Sequence, residues 1–441
     1  MPSLLSRSKQ FGSELSAARN VGLAELGLRG SLRLAQTVRR VYPKALRWLI
    51  QWRQPTPQEL RELFESLGAT YIKFGQFIAS SPSLFPKEYV DEFQKCLDQT
   101  PAIPFNRIRQ TIEQDLGCPI DEVFAHINPE ALASASIAQV HAATLVSGED
   151  VVVKVQKPGV QAVLTTDLNA VYLLTRLFEL IMPHTDRDAI AGLVAEMYQS
   201  MIDECDFRKE ANNLLEFRQF LAATGNKEVV APKPYEQASG DRVLTMERLY
   251  GKALTDTAPS ASGVNATESL FHALNTWFAS LTQCPFFHAD LHSGNLMLLP
   301  DGRVGFIDFG MVGRIQPEAW QAMFALFSGI GNEDYRQMAE AMVKVGITRE
   351  KVDVDRLTAD IATLFRGLNA MDPADVLEGR GADGINAMLS DLGSIARDYG
   401  IRFPRSFTML LKQFLYFDRY VEMLAPGADI FHDERIDLML P

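Results

Sequence analysis

The sequence predicts an α+β fold of two lobes, a small one built on a β-sheet and a larger helical one after it, with a helical extension ahead of both. Three observations carry this expectation. A valine run with one lysine in it, Val151 to Val155 around Lys154, follows an alternating strand and a Ser147-Gly148-Glu149-Asp150 turn. Apolar residues at three- and four-residue steps mark helices from Pro57 to Ser80 and over 160 to 222. Asp290, Asn295 and Asp308 stand five and then thirteen residues apart, with a hairpin pattern between the last two.

A chain of 441 residues exceeds one ordinary core and implies two or three packed units. The boundaries read as 1–56, a basic helical head; 57–118, a helical extension; 119–250, the sheet-bearing lobe with a helical insertion; and 251–441, the helical lobe. At 47% hydrophobic and 22% charged the composition is that of a globular protein. Cys96, Cys118, Cys205 and Cys284 form no Cys-x-x-Cys pair, which points to a reducing compartment. The longest stretch without Asp, Glu, Lys or Arg, Ser269 to Ala289, is broken by Asn275, Gln283 and Pro285, so no membrane-spanning helix is expected. The net charge of −12 is uneven: residues 1–53 carry ten basic side chains against Glu14 and Glu25, while the remainder is near −20. So acidic a body excludes a nucleic-acid-binding face there.

In the head, Arg29, Arg33, Arg39, Arg40, Lys44 and Arg47 alternate with Leu32, Leu34, Val38, Val41, Leu46, Trp48 and Leu49. Two readings stand side by side. One is helices lying on an anionic membrane surface or lipid; the other is a solvated arm packed on the body or on a second copy, giving a homodimer. An acid-poor head containing Arg and Ser also suits an organelle transit peptide, though no cleavage signal is visible. The expected location is therefore the cytoplasm or the stromal side of an organelle, with any membrane attachment peripheral.

The extension carries Lys73-Phe74-Gly75-Gln76, with Lys73 and Gln76 on one helix face. Pro82, Pro86, Pro101 and Pro104 then bracket a short helix from Tyr89 to Leu97. In the next unit Ala133, Ser134, Ala135 and Ser136 form a small-residue loop before Gln139-Val140-His141, and Lys154 lies one strand later. A lysine among valines is costly to bury unless paired, and a phosphate plus a carboxylate would remove that cost; a solvated lysine on an edge strand is the other reading. Glu204, Asp206 and Glu210 crowd together and repel, so cations are their expected partners: Lys154, Lys73 or a nucleotide-bound metal. Val243 to Leu249, including Glu247, reads as a strand and hinge beside an adenine ring, and 262–283 as an apolar helix.

The stretch Phe287 to Gly310 holds the chemistry. Leu296 to Leu299, Pro300-Asp301-Gly302 and Val304 to Ile307 read as strand, turn, strand, which folds Asn295 and Asp308 into proximity. Mg²⁺ takes hard oxygen ligands, usually one or two from protein together with phosphates, and these two residues supply that number. An aspartate, then an asparagine, then Asp-Phe-Gly is the order of a kinase catalytic loop and its metal ligands. The fold class is therefore bilobal and protein-kinase-like. Two other readings exist: ordinary capping and turn residues, and a zinc site on His288 and His292, which stand four apart but in a predicted loop. After Gly310, Pro317-Glu318 reads as the first turn of a helix to Ile330, leaving no peptide-docking platform. Residues 333–441 read as further helices without evident chemistry.

Together, Lys73-x-Gly-Gln76, the Ala-rich loop running into Gln139-Val140-His141, Val153-Lys154-Val155-Gln156, Glu204-x-Asp206, His288-Ala-Asp290-Leu-His292-x-Gly-Asn295 and Asp308-Phe-Gly resemble the UbiB/AarF family of atypical kinases, over about residues 57–430. The resemblance implies that Lys154 contacts the α- and β-phosphates of ATP or ADP and pairs with Glu210. It implies that Lys73 pairs with Glu204 and pins the extension across the acceptor cleft. Asp290 would then be the catalytic aspartate, Asn295 and Asp308 the Mg²⁺ ligands, and Ala133 to Ser136 the substitute for a glycine-rich loop. Members look like ATPases supporting ubiquinone or related isoprenoid-lipid metabolism, in a lipid-biosynthetic protein complex, without phosphorylating proteins in trans. Two alternatives accompany this: a nucleotide-sensing pseudokinase scaffold, and a small-molecule or lipid kinase. Many bacterial members carry C-terminal transmembrane helices and none is expected here; Ser293 stands where proline is frequent; and Lys154 and Glu210 are 56 residues apart, which fits an insertion.

Overall fold

The computed structural model describes residues 28–53, 55–79, 87–93, 95, 101–168, 171, 201–256, 264–348, 351–369, 391–396, 398–428 and 433–436. The head before residue 28, the middle of the helix expected over 160–222, and Pro82, Pro86 and Leu97 lie outside the described residues.

Helix α1 (Leu28–Ile50) leads to the extension. Its inner side rests Val41 and Trp48 on Leu63, Leu67 and Tyr71, and the Arg40 guanidinium donates to the Ser66 carbonyl. The single helix expected from Pro57 to Ser80 is two, α2 (Pro57–Leu67) and α3 (Ala69–Ala79). The break is Gly68, at φ 100° and ψ −163°, a conformation that only glycine adopts without strain. At the start of α2 a reciprocal cap fixes the entry: Thr56 accepts from the Glu59 N–H and Glu59 accepts from the Thr56 N–H. Helix α4 (Lys87–Phe93) buries Phe93 against Ile72 and Ile78.

Helix α5 (Phe105–Leu116) lies within the stretch that sequence assigns to the extension and packs on the sheet of the small lobe. Its Ile108 and Ile112 are fully buried against Phe124, Val151, Val153 and Val155. After the single turn α6 (Ile120–Val123) come β1 (Phe124–Ser134), β2 (Ala138–Leu145) and β3 (Asp150–Gln156), with β4 (Val229–Val230) and β5 (Val243–Glu247) later in the chain. Strands β1, β2, β3 and β5 form one antiparallel sheet in that order. Because side chains alternate across a strand, the three valines that meet α5 leave Lys154 facing the opposite side.

Residues 160–168 are helical, and α7 (Phe207–Ala223) follows, capped by Asp206, which accepts from the Lys209 N–H. In the large lobe β6 (Lys252–Ala253), β8 (Leu296–Leu298) and β9 (Val304–Phe306) join β4 in a second sheet ordered β4-β9-β8-β6. Strand β7 (Phe287–His288) pairs with β10 (Val312–Gly313). Helix α8 (Ala266–Gln283), capped by Asn265, carries Trp277 to the centre of the lobe, where it meets Phe287, Phe414 and Phe417. Helices α9 (Pro317–Gly331), α10 (Tyr335–Val345), α11 (Val354–Asn369) and α12 (Arg405–Leu424) complete it. A two-stranded ladder of β11 (Ile347–Thr348) and β12 (Ile401–Arg402) interrupts the stretch that sequence reads as wholly helical. Among the described residues no helix is long and apolar enough to cross a membrane.

Candidate active site

The lysine of β3 faces the cleft and is joined to two carboxylates. Lys154 Nζ donates to Glu210 Oε1 at 2.8 Å and Oε2 at 2.9 Å, and to Asp308 Oδ1 at 3.0 Å. The contact that the 56-residue separation left open is thus closed by α7, whose first turn carries Glu210. Burial disfavours the ammonium, but the two anions outweigh it and raise the Lys154 pKa. Burial also pushes the Glu210 carboxyl up to about 7, against the pull of Lys154 and with the help of the Asp308 charge. Asp308 is held below the usual carboxylate range because Lys154 overcomes the cost of its burial.

The loop before the hairpin is fixed atom by atom. His288 is fully buried in β7; its Nε2 donates to the Ile307 carbonyl at 3.0 Å and its Nδ1 accepts the Asp290 N–H at 3.2 Å. A backbone N–H only donates, so this pair of bonds fixes a neutral tautomer, and burial lowers the pKa in the same direction. With both nitrogens engaged His288 has none to offer zinc, and His292 uses its Nδ1 to accept the Gly294 N–H. Among the described residues no cluster of His, Cys, Asp and Glu forms a soft metal site.

The hairpin pairs Leu296 with Phe306, Met297 with Gly305 and Leu298 with Val304, turning at Gly302 with φ 89°. Its ends are tied by the Ile307 N–H donating to the Asn295 carbonyl at 3.0 Å. Asn295 Nδ2 donates to the Asp290 carbonyl at 2.8 Å, which leaves Oδ1 without a hydrogen-bond partner among the described residues. Asp308 sits at φ 60°, rare for a non-glycine residue, and its Oδ2 likewise has no partner among the described residues. An amide oxygen and a carboxylate oxygen at the two ends of one hairpin fit the hard-donor preference of Mg²⁺.

The extension crosses to this site. Lys73 Nζ lies 2.8 Å from Glu204 Oε2, Thr70 donates to Asp167 at 2.9 Å, and Phe74 packs on Ile137 just past the small-residue loop. Ala133 and Ser134 end β1, and Ala135 turns the chain with its N–H on the Ala138 carbonyl at 2.9 Å; Ser136 is buried beyond it. Gln139 and His141 have structural work: Gln139 bonds both backbone groups of Ile103, and His141 Nδ1 meets the Asn128 carbonyl at 2.9 Å. Gln156 donates to the Cys205 carbonyl at 3.0 Å, between Glu204 and Asp206. Glu247 ends β5 with its N–H on the Lys233 carbonyl at 2.8 Å and its carboxylate accepting the Lys233 N–H at 3.2 Å.

Sequence reasoning found no chemistry beyond residue 333, yet α12 reaches the loop directly. Lys412 Nζ donates to Asp290 Oδ1 at 3.0 Å. The fully buried Gln413 accepts the Leu291 N–H and donates to the Ala289 carbonyl, each at 2.7 Å, and Tyr420 donates to the Leu291 carbonyl at 2.9 Å. Burial works against the charge on Asp290, but Lys412 first and His292 next hold it well below the usual carboxylate range, with Lys73 contributing from the extension. The signal was present: Lys412-Gln413 interrupts the apolar run Met409 to Phe417 just as Lys154 interrupts its valines.

Comparison with known proteins gives the family and the fold. The family model described as the ABC1 atypical kinase-like domain matches residues 95–342. A chloroplastic protein of Arabidopsis thaliana, named as an uncharacterised aarF domain-containing protein kinase, is 46% identical over 402 residues, covering 87% of this chain and 74% of the relative. A protein of Azotobacter vinelandii named "Probable protein kinase UbiB" is 30% identical over 403 residues, covering 88% and 73%. Among solved structures, the Mycobacterium tuberculosis protein Rv3197, in complex with erythromycin, superposes with a TM-score of 0.50 at 23% identity, covering 80% of this chain and 91% of that one, a likeness of fold.

Proposed function

The chain belongs to the ABC1 family of atypical kinase-like proteins, and from that premise we propose that it binds ATP or ADP with Mg²⁺ and turns nucleotide over in support of isoprenoid-quinone or related lipid metabolism. The observation that carries this reading is the joining of Lys154 to both Glu210 and Asp308, which assembles a phosphate-binding lysine and a metal-binding carboxylate in one cleft. In it, Asn295 and Asp308 hold the metal through their unengaged oxygens, Lys154 holds phosphate, and Asp290 stands by the transferred phosphoryl group. Bound Mg²⁺ would neutralise charge building up on the phosphate oxygens. The Ala133 to Ser136 turn would cover the nucleotide, and the strand ending at Glu247 would border the adenine.

Transfer to proteins in trans is not part of this reading. Lys73 and Glu204 fasten the extension beside Asp290, and α9 starts seven residues after Gly310, which leaves little chain to dock a peptide. The acceptor is then water or a small lipid-like molecule, and the partners are a lipid-biosynthetic complex and an anionic membrane surface. Replacing Asp308 with Asn tests the core of the proposal. Metal-dependent ATP hydrolysis is expected to fall roughly a hundredfold or more; an unchanged rate would end the enzymatic reading in favour of a nucleotide-sensing scaffold.

A further inference from the structure

We infer that Lys412 is a positioning residue for Asp290, a cation that the helix α12 delivers to the loop from 122 residues away in sequence. The bond itself is 3.0 Å from Nζ to Oδ1, and the two side chains are only 22% and 26% exposed, so water screens the pair far less than it would at the surface. Placement is enforced by the neighbouring residue. The Gln413 amide meets the loop as another strand would, bonding the Ala289 carbonyl on one side of Asp290 and the Leu291 N–H on the other. With α12 locked there, and again at Tyr420, Lys412 meets one carboxylate among the described residues, that of Asp290. The Tyr416 ring, with its centroid 5.4 Å from Nζ, supports the ammonium from behind.

Among the described residues Lys412 gives Asp290 Oδ1 its direct bond, while His292 and Lys73 add to the balance of charge. His292 Nε2 stands 3.8 Å from Oδ2, beyond a direct hydrogen bond, and Lys73 is engaged with Glu204. Asp290 and Asp308 repel one another, so an unbalanced Asp290 would be pushed from its place. Lys412 takes Oδ1 and offsets that repulsion, which leaves Oδ2 as the oxygen presented to an acceptor. Orientation of this kind acts on turnover more than on nucleotide affinity.

The role rests on the phosphoryl-transfer reading of Asp290, and two measurements separate the pair. In the nucleotide-free protein, melting temperatures of Lys412→Met, Asp290→Asn and the double variant form a cycle. The double variant should melt close to Asp290→Asn alone; purely additive shifts would overturn the assignment. In turnover, Lys412→Met is expected to lower kcat roughly tenfold to a hundredfold, with KM and the Mg·ADP dissociation constant within about threefold, and Lys412→Arg should recover most of the loss. A wild-type rate in Lys412→Met, or an equal further loss on top of Asp290→Asn, marks Lys412 as a packing residue only. Should Lys412→Met not fold, Lys412→Gln takes its place in both arms. Should the wild type hydrolyse no more ATP than Asp308→Asn, the function reading fails while the nucleotide-free cycle still decides on Lys412.

Discussion

Lys154 is the residue on which the small lobe and the large lobe agree, since its partners come from α7 and from the end of the hairpin. Replacing it with Met leaves Glu210 and Asp308 facing each other without a cation, and stability at neutral pH should fall by about 3 to 5 kcal/mol in denaturant unfolding. Glu210 adds a pH signature. Its folded-state value of about 7 lies above the ordinary 4.5, so between those two pH values the folded chain keeps a proton that the unfolded chain has released. Its contribution is therefore fully present below pH 4.5 and is lost as the pH rises through 7. Relative to Glu210→Gln, the wild type should lose melting temperature across that window; a constant difference would contradict the assignment. The cost of burying a lone lysine made Lys154 legible in the sequence. Lys412 broke the same rule and went unread, because a lysine on a helix ordinarily reads as a solvated charge.

Among elements, the pair α2 and α3 depends on one backbone angle. A side chain at Gly68 would have to occupy φ 100° and ψ −163°, so Gly68→Ala should cost about 1 to 3 kcal/mol in thermal unfolding. The loss should also loosen the Lys73 contact, because α3 enters the cleft from that bend. Periodicity correctly gave helices on both sides, but a glycine inside a regular apolar pattern reads as tolerated rather than as a break. Helix α5 illustrates the same limit. It was not singled out in the sequence, and even a periodic pair such as Ile108 and Ile112 says that a face is buried and not against what, so the sheet was not identified as its partner. The hairpin was legible, since Asp301-Gly302 between apolar runs marks a turn between two strands; the register was not.

At the scale of the whole molecule the charge is divided, near +8 over residues 1–53 and near −20 over the rest. Within α1 there are six Arg or Lys and no Asp or Glu, and the side turned away from α2 exposes Tyr42, Leu46 and Ile50, with Trp52 just beyond at 93% exposure. One side of α1 packs on the body; that the outer side binds an anionic bilayer is our proposal. Deleting residues 1–53 should weaken binding to vesicles containing anionic lipid, by roughly 1 kcal/mol per basic side chain near the surface, and added salt should erase the difference. Equal binding by the truncated chain at low salt would reject the idea. The grip of Gln413 and Tyr420 on the loop bears on how the protein is made. Because α12 follows the loop by more than a hundred residues, a nascent or prematurely terminated polypeptide that stops short of it carries Asp290 without the bonds of Lys412, Gln413 and Tyr420. Such a polypeptide should lack the fastening on which the placement of Asp290 depends.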